Sequence, residues 1–201
     1  MLTSVEQLED IYGKANERSV RKEISFISED YAAFILASPF VMLASAGVDG
    51  LDCSPKGDAT GFVRILDAHT LAIPDRPGNN RIDTLRNLVH DPRVALLFLV
   101  PGVGEMMRVN GRASIADDSE LLASFSVNGK PPRTVILVHV ESVYFPCSKA
   151  VVRSDLWNGD KHVDRASLPS AGAMLQNVSD ASFDGDAYDR ALPGRLKTDL
   201  Y

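Results

Sequence analysis

The chain has 201 residues, 45% hydrophobic and 24% charged, which suits one globular domain with a sizeable core. Its formal net charge is −6, whereas a general nucleic-acid or membrane-surface binder needs an excess of Lys and Arg, so no nucleic acid and no membrane is expected as a partner. The N-terminal MLTSVEQLEDIYG carries acids and lacks the apolar core of a signal peptide, and the apolar run 94–100 is too short to span a bilayer, so a cytoplasmic protein is expected.

Ser4 with Gln7 can form a capping box, predicting a short helix through Tyr12 that stops at Gly13. Ser28 opens a second helix carrying Tyr31, Phe34, Ile35 and Leu36. Phe40 to Ala46 reads as a strand with a turn at Gly47-Val48-Asp49-Gly50, and Asp52 to Asp58 as a polar loop. Phe62 to Leu66 and Thr70 to Ile73 are two short strands. Residues 81–90 read as a helix stopped by Asp91-Pro92. Arg93 to Val100, Met106 to Ile115 and Thr134 to Tyr144 are three further strands, with a helix from Asp117 or Asp118 to Phe125 between the last two. Cys147 to Leu156 is helical, and the polar tail from Asn158 is loop and short helix.

Six strands in hairpin-like succession, not alternating with helices, argue against a doubly wound parallel sheet. They predict a mainly β single domain, an antiparallel barrel with peripheral helices. Residues 1–37 form N-terminal helices, 38–157 the barrel core, and 158–201 a tail packed on the barrel. Cys53 and Cys147 form no CxxC pair, and His69, His90, His139 and His162 lack metal-ligand spacing, so two free thiols and no metal are expected.

The stretch IPDRPGNNRIDTLRNL, residues 73–88, carries the strongest functional signal. A stiff Pro/Gly turn delivers Asn79, Asn80 and Arg81 to the start of a helix. Helix N-termini present unpaired N–H groups and bind phosphate, and arginine adds a bidentate fork. The plain alternative is that Asn80 caps the helix and Arg81 is solvated. Lys56 sits in the constrained loop SPKGD. Arg64 lies in the apolar strand GFVRIL, on the face of Phe62 and Leu66, and needs a partner there: Asp67, Asp75 or the same phosphate. In CSKAVVRSDLW, Lys149 and Arg153 share a helix face beside Trp157, either as a solvated edge over a core indole or as a seat for an aromatic anion. Met106 and Met107 read as core or interface. No nucleophile–base pair and no Walker, Rossmann or HExxH motif is present.

The order SPKGD, GFVRIL, TLAIPDRPGNNRIDTLRNL, DPRVALLFLVPG, RVNGRA and CSKAVVRSDLW resembles the pyridoxamine 5'-phosphate oxidase-like flavoproteins, in particular a bacterial subgroup of FMN-dependent members. The similarity runs from Phe40 to Trp157, and more loosely to 168–172. It implies a six-stranded, Greek-key split β-barrel that forms a homodimer, with flavin mononucleotide (FMN) between the subunits. It further implies that Arg64, Asn80 and Arg81 hold the phosphate with Lys56 nearby. Ile73, Pro74 and Asp75 would pass along the flavin. Met106 and Arg108 would approach from the partner subunit, and Lys149 and Trp157 would close the ring end. Two positions depart from the subgroup: Met106-Met107 replace a hydroxyl residue and Leu, and Pro146 replaces a His.

The function implied is an FMN-dependent oxidoreductase acting on a small-molecule substrate or electron donor. The cofactor carries the chemistry, so no catalytic residue is assigned. The alternatives are a non-catalytic flavin-binding or flavin-sensing protein whose tail covers the ring, and a haem-binding barrel, which would want His69 or His139 at the site.

Overall fold

The structure, a computed structural model, describes residues 1–179, 182–198 and 200–201; residues 180, 181 and 199 of the expected tail lie outside it. The chain opens with helices α1 (Val5–Tyr12), α2 (Glu17–Arg21) and α3 (Glu29–Ala37). The Ser4 and Ser28 hydroxyls cap α1 and α3 by accepting the N–H groups of Gln7 and Tyr31. Gly13 ends α1 at φ 68°, a conformation glycine adopts without strain.

Strands β1 (Phe40–Gly47), β2 (Gly50–Gly57), β3 (Arg64–Asp67) and β4 (Thr70–Asp75) lead to helix α4 (Asp83–His90). Then come β5 (Arg93–Leu99), β6 (Met106–Ala116), α5 (Ser119–Ser124) and β7 (Thr134–Tyr144). All pairings are antiparallel, in the order β2-β1-β5-β6-β7-β4-β3. This is the expected mainly β split barrel with peripheral helices, but with seven strands rather than six. Helices α6 (Lys149–Ser154), α7 (Ala171–Val178) and α8 (Gly185–Thr198) complete the described chain. None of the described helices is long and apolar enough to cross a membrane.

The seventh strand is β2, expected as a polar loop. Its polarity has a positional cause. It pairs only with β1, so Pro55, which has no N–H to give, is tolerated on the edge. Asp52, Ser54 and Lys56 alternate toward the half-buried side, as a period of two requires. Alternation also builds the core. Val41 and Leu43 of β1, Leu96 and Phe98 of β5, and Met107 and Val109 of β6 point inward and are almost fully buried, with Leu71, Ile73, Ile136 and Val138 opposite. The neighbours Met42, Leu97 and Met106 stay half-exposed on the outer face.

Two further expectations change. The strand expected from Phe62 begins only at Arg64 and is irregular between Ile65 and Asp67, so Phe62 is buried ahead of β3 while Leu66 is 49% exposed, and Arg64 does not share one face with both. Helix α4 starts two residues later than expected. Its N-cap is Ile82, at φ 52°, with no capping side chain.

Candidate functional site

A cavity of about 800 Å³ opens where β2, the end of β4, the start of α4 and the start of β7 converge. The sheet's hydrogen bonds leave a gap between β2 and β4. Lys56 and Asp75 pair across it, as do Asp58 and Arg76. Asp52, Ser54 and Lys56 supply one wall. The turn 74–82 and the first residues of α4, Asp83 to Leu85, supply the second, and Arg133 and Thr134 the third. The volume is that of a site for a cofactor-sized molecule.

The turn is built for close approach rather than for helix capping. Asn79 Oδ1 accepts the Arg81 N–H at 3.1 Å, and Asn80 sits at φ 59°. Ile82 at φ 52° is a β-branched residue in the left-handed region, where only strong surrounding constraints hold it. Neither asparagine caps α4, so the first-turn N–H groups have no side-chain acceptor.

Four cations line the cavity: Lys56, Arg76, Arg81 and Arg133. Three of them have carboxylate partners. Arg76 Nε donates to Asp58 Oδ2 at 2.7 Å and its Nη1 to the Phe125 carbonyl at 2.8 Å. Arg81 Nε donates to Asp83 Oδ2 at 2.7 Å, but its side chain is 76% exposed and free to turn inward. Arg133 donates to Asn80 Oδ1 at 3.2 Å and has no carboxylate partner among the described residues. Beside it, Thr134 Oγ1 is buried and has no hydrogen-bond partner among the described residues. A buried hydroxyl left so costs about 1–3 kcal/mol. Burial raises the affinity of Asp58 for a proton, but donors from Tyr201, Ala59 and Arg76 outweigh it and hold the carboxyl below its ordinary value.

The structure brings together Lys56, Pro74, Asp75, Asn80 and Arg81. Ile73 precedes them, fully buried in the core. Arg64 does not line the cavity: its guanidinium bonds Ser124 and lies over the Phe125 ring, 3.9 Å from the centroid. Met106, Arg108, Lys149 and Trp157 lie apart from the cavity as well. Met106 is level with Leu99, Phe40 and the cavity residue Gly57, but three strands away from it in the sheet. Three strand spacings, about 14 Å along the sheet, separate the two. Arg108 there bonds the Tyr144 hydroxyl at 2.9 Å, and Trp157 Nε1 bonds the Val103 carbonyl at 2.7 Å. His69 and His139 stack with each other outside the cavity.

Arg76, Arg133 and Thr134 were absent from the sequence-based site. Arg76 was in view between Pro74 and Pro77. Arg133 had one available signal, the rigid Pro131-Pro132 pair aiming the chain into a strong strand.

Comparison with known proteins places this architecture. No curated protein matches the chain. Among solved structures, HupZ of Group A Streptococcus is 18% identical over 59% of this chain and 93% of its own, with a TM-score of 0.50. General Stress Protein 26 from Bacillus anthracis is 17% identical over 57% and 88%, at 0.45. Protein Rv2991 from Mycobacterium tuberculosis is 17% identical over 70% and 94%, at 0.46. At such identity the HupZ likeness bears on the fold alone, and the two lower scores carry no argument. The family model described as pyridoxamine 5'-phosphate oxidase matches residues 27–147, a span that takes in all seven strands and the cavity walls. With more than half its length in that match, the chain belongs to the pyridoxamine 5'-phosphate oxidase family.

Proposed function

We propose that the chain binds FMN in this cavity and acts as an FMN-dependent oxidoreductase on a small-molecule substrate or electron donor. The observation that carries the reading is the pair Arg133 and Thr134, a cation without a carboxylate and a buried hydroxyl without a partner among the described residues, which line the cavity together with the uncapped start of α4. A phosphate would satisfy all three, because it brings a charge of about −1.5 to −2 and oxygen acceptors only. The residues present therefore fit the group.

In this reading Arg81, Arg133, Asn80 and the first-turn N–H groups of α4 hold the phosphate. Ile73, Pro74 and Asp75 run along the ring, with Lys56 keeping the Asp75 carboxylate in place. When bound, the flavin supplies the hydride or electron transfer, so the chain's own task is to bind, orient and exclude water. Met106, Arg108, Lys149 and Trp157 would complete the site from a second copy, since none of them lines the cavity within one chain. That makes the working unit a homodimer. The outer strand face with Met42, Leu97 and Met106 offers it an apolar surface. Arg64, engaged with Ser124 and Phe125, would join the phosphate only by leaving them.

A flavin-binding protein without catalysis is the second reading. The position of the tail favours it: Leu192, Leu196 and Leu200 border a second, smaller cavity together with Pro77 and Gly78, a turn that also walls the first. Rapid reoxidation of the reduced, bound flavin by a small acceptor separates the enzyme from the carrier.

The first test is the absorbance spectrum of the concentrated protein and of Arg81→Ala, with the solution mass. Bands at roughly 370 and 450 nm in the wild type, diminished in the variant, and a mass twice the 21.8 kDa of the chain are expected. A colourless protein that also fails to take up added FMN would sink the proposal.

A further inference from the structure

Tyr201 lies beyond the span matched by the family and does not itself line the cavity, yet it is bonded to the partner of Arg76, which does. Its hydroxyl donates to Asp58 Oδ1 at 2.6 Å, its ring lies 5.7 Å from the Arg76 guanidinium, and its carbonyl accepts from Lys130 Nζ at 2.8 Å. The Asp58 side chain is 3% exposed, so each of its oxygens has few candidate donors. Oδ1 takes the Tyr201 hydroxyl and the Ala59 N–H, leaving Oδ2 for Arg76 Nε.

That division has a chemical consequence. A carboxylate facing arginine side-on binds Nε with one oxygen and Nη2 with the other. Here the second oxygen is engaged by the tyrosine. Arg76 is clamped at Nε by Asp58 and at Nη1 by the Phe125 carbonyl, while Nη2 has no acceptor among the described residues. A guanidinium held at two nitrogens with the third free, at the edge of a cavity, is a preorganised anion donor.

We propose that Tyr201 is a positioning residue for anion binding: by occupying Asp58 Oδ1 it keeps Asp58 from gripping Arg76 with both oxygens, and so leaves Arg76 Nη2 available to the ligand's phosphate. This rests on the FMN reading above. It gives the C-terminal residue a direct part in the affinity of the site.

The test compares wild type with Tyr201→Phe, which removes the hydroxyl and keeps the ring. FMN and riboflavin, which lacks the phosphate, are titrated by flavin fluorescence. In parallel, the rate at which phenylglyoxal modifies Arg76 is followed by mass spectrometry without ligand. The expected result is about tenfold weaker binding of FMN, unchanged binding of riboflavin, and slower modification of Arg76. Equal losses for both flavins would mean that Tyr201 only scaffolds the site, and unchanged FMN binding would mean that it does not act on Arg76; either overturns the inference while the flavin reading stands. If the wild type binds neither flavin, the flavin reading fails, and the Arg76 modification rate alone decides: an unchanged rate in Tyr201→Phe overturns the positioning role.

Discussion

Lys56 on the edge strand β2 and Asp75 at the end of β4 pair across the gap that the sheet's backbone hydrogen bonds leave open. Both side chains are about four-fifths buried, at 20% and 17% exposure, so neither charge is easily left alone. Lys56→Met or Asp75→Asn should each cost about 1–3 kcal/mol in urea unfolding, because the remaining group loses its partner. The double variant should recover most of that loss. A double variant as unstable as the sum of the singles would show that the pair does not close the barrel.

Gly111 marks the second constraint on the barrel. At the bulge of β6 against β7, a Cβ on Gly111 would stand 2.0 Å from the His139 carbonyl oxygen. The obstacle is backbone, so the strands themselves must part. Gly111→Ala is expected to lower stability by about 3 kcal/mol, read as a fall in the urea midpoint. A variant as stable as wild type would mean that β6 and β7 do not approach this closely.

Thr134 separates stability from binding. Thr134→Val keeps the shape and removes the hydroxyl that has no partner. The free protein should gain about 1 kcal/mol, whereas affinity for FMN should drop. Arg133→Ala should weaken FMN by about tenfold and leave riboflavin unaffected. If Thr134→Val loses stability and binds FMN as before, the hydroxyl has another role.

Acid should weaken the link between α4 and β5. The Arg93 side chain and then its backbone N–H hold the Asp91 carboxyl at about 2, from an ordinary 3.8. The unfolded chain therefore takes up this proton before the folded one. The stabilisation is complete above pH 3.8 and is lost as pH falls toward about 2. Asp91→Asn should flatten the unfolding midpoint between pH 5 and roughly 2.5 relative to wild type. An identical slope in the variant would exclude this group as the cause.

Local chemistry determined much of this protein from its sequence. Ser4, Gly13 and Ser28 announce helix ends because capping involves neighbours a few residues away. The inward residues of β5, β6 and β7 follow a period of two that any reader can count. The Pro/Gly turn before Asn79-Asn80-Arg81, which walls the cavity, is visible in one short stretch. Tertiary structure decided the rest. β2 looks like a loop because its polar residues face a cavity that exists only once β4 and α4 are in place. Arg64 turned to Ser124, 60 residues along the chain, and to the neighbouring Phe125. Arg133 and Tyr201 joined the surroundings of the turn from about 50 and 120 residues away in the chain, through the bonds of Arg133 to Asn80 and of Tyr201 to Asp58. Helix caps and strand alternation are written in adjacent residues, whereas which side chains meet across a closed sheet depends on register, which no local pattern encodes.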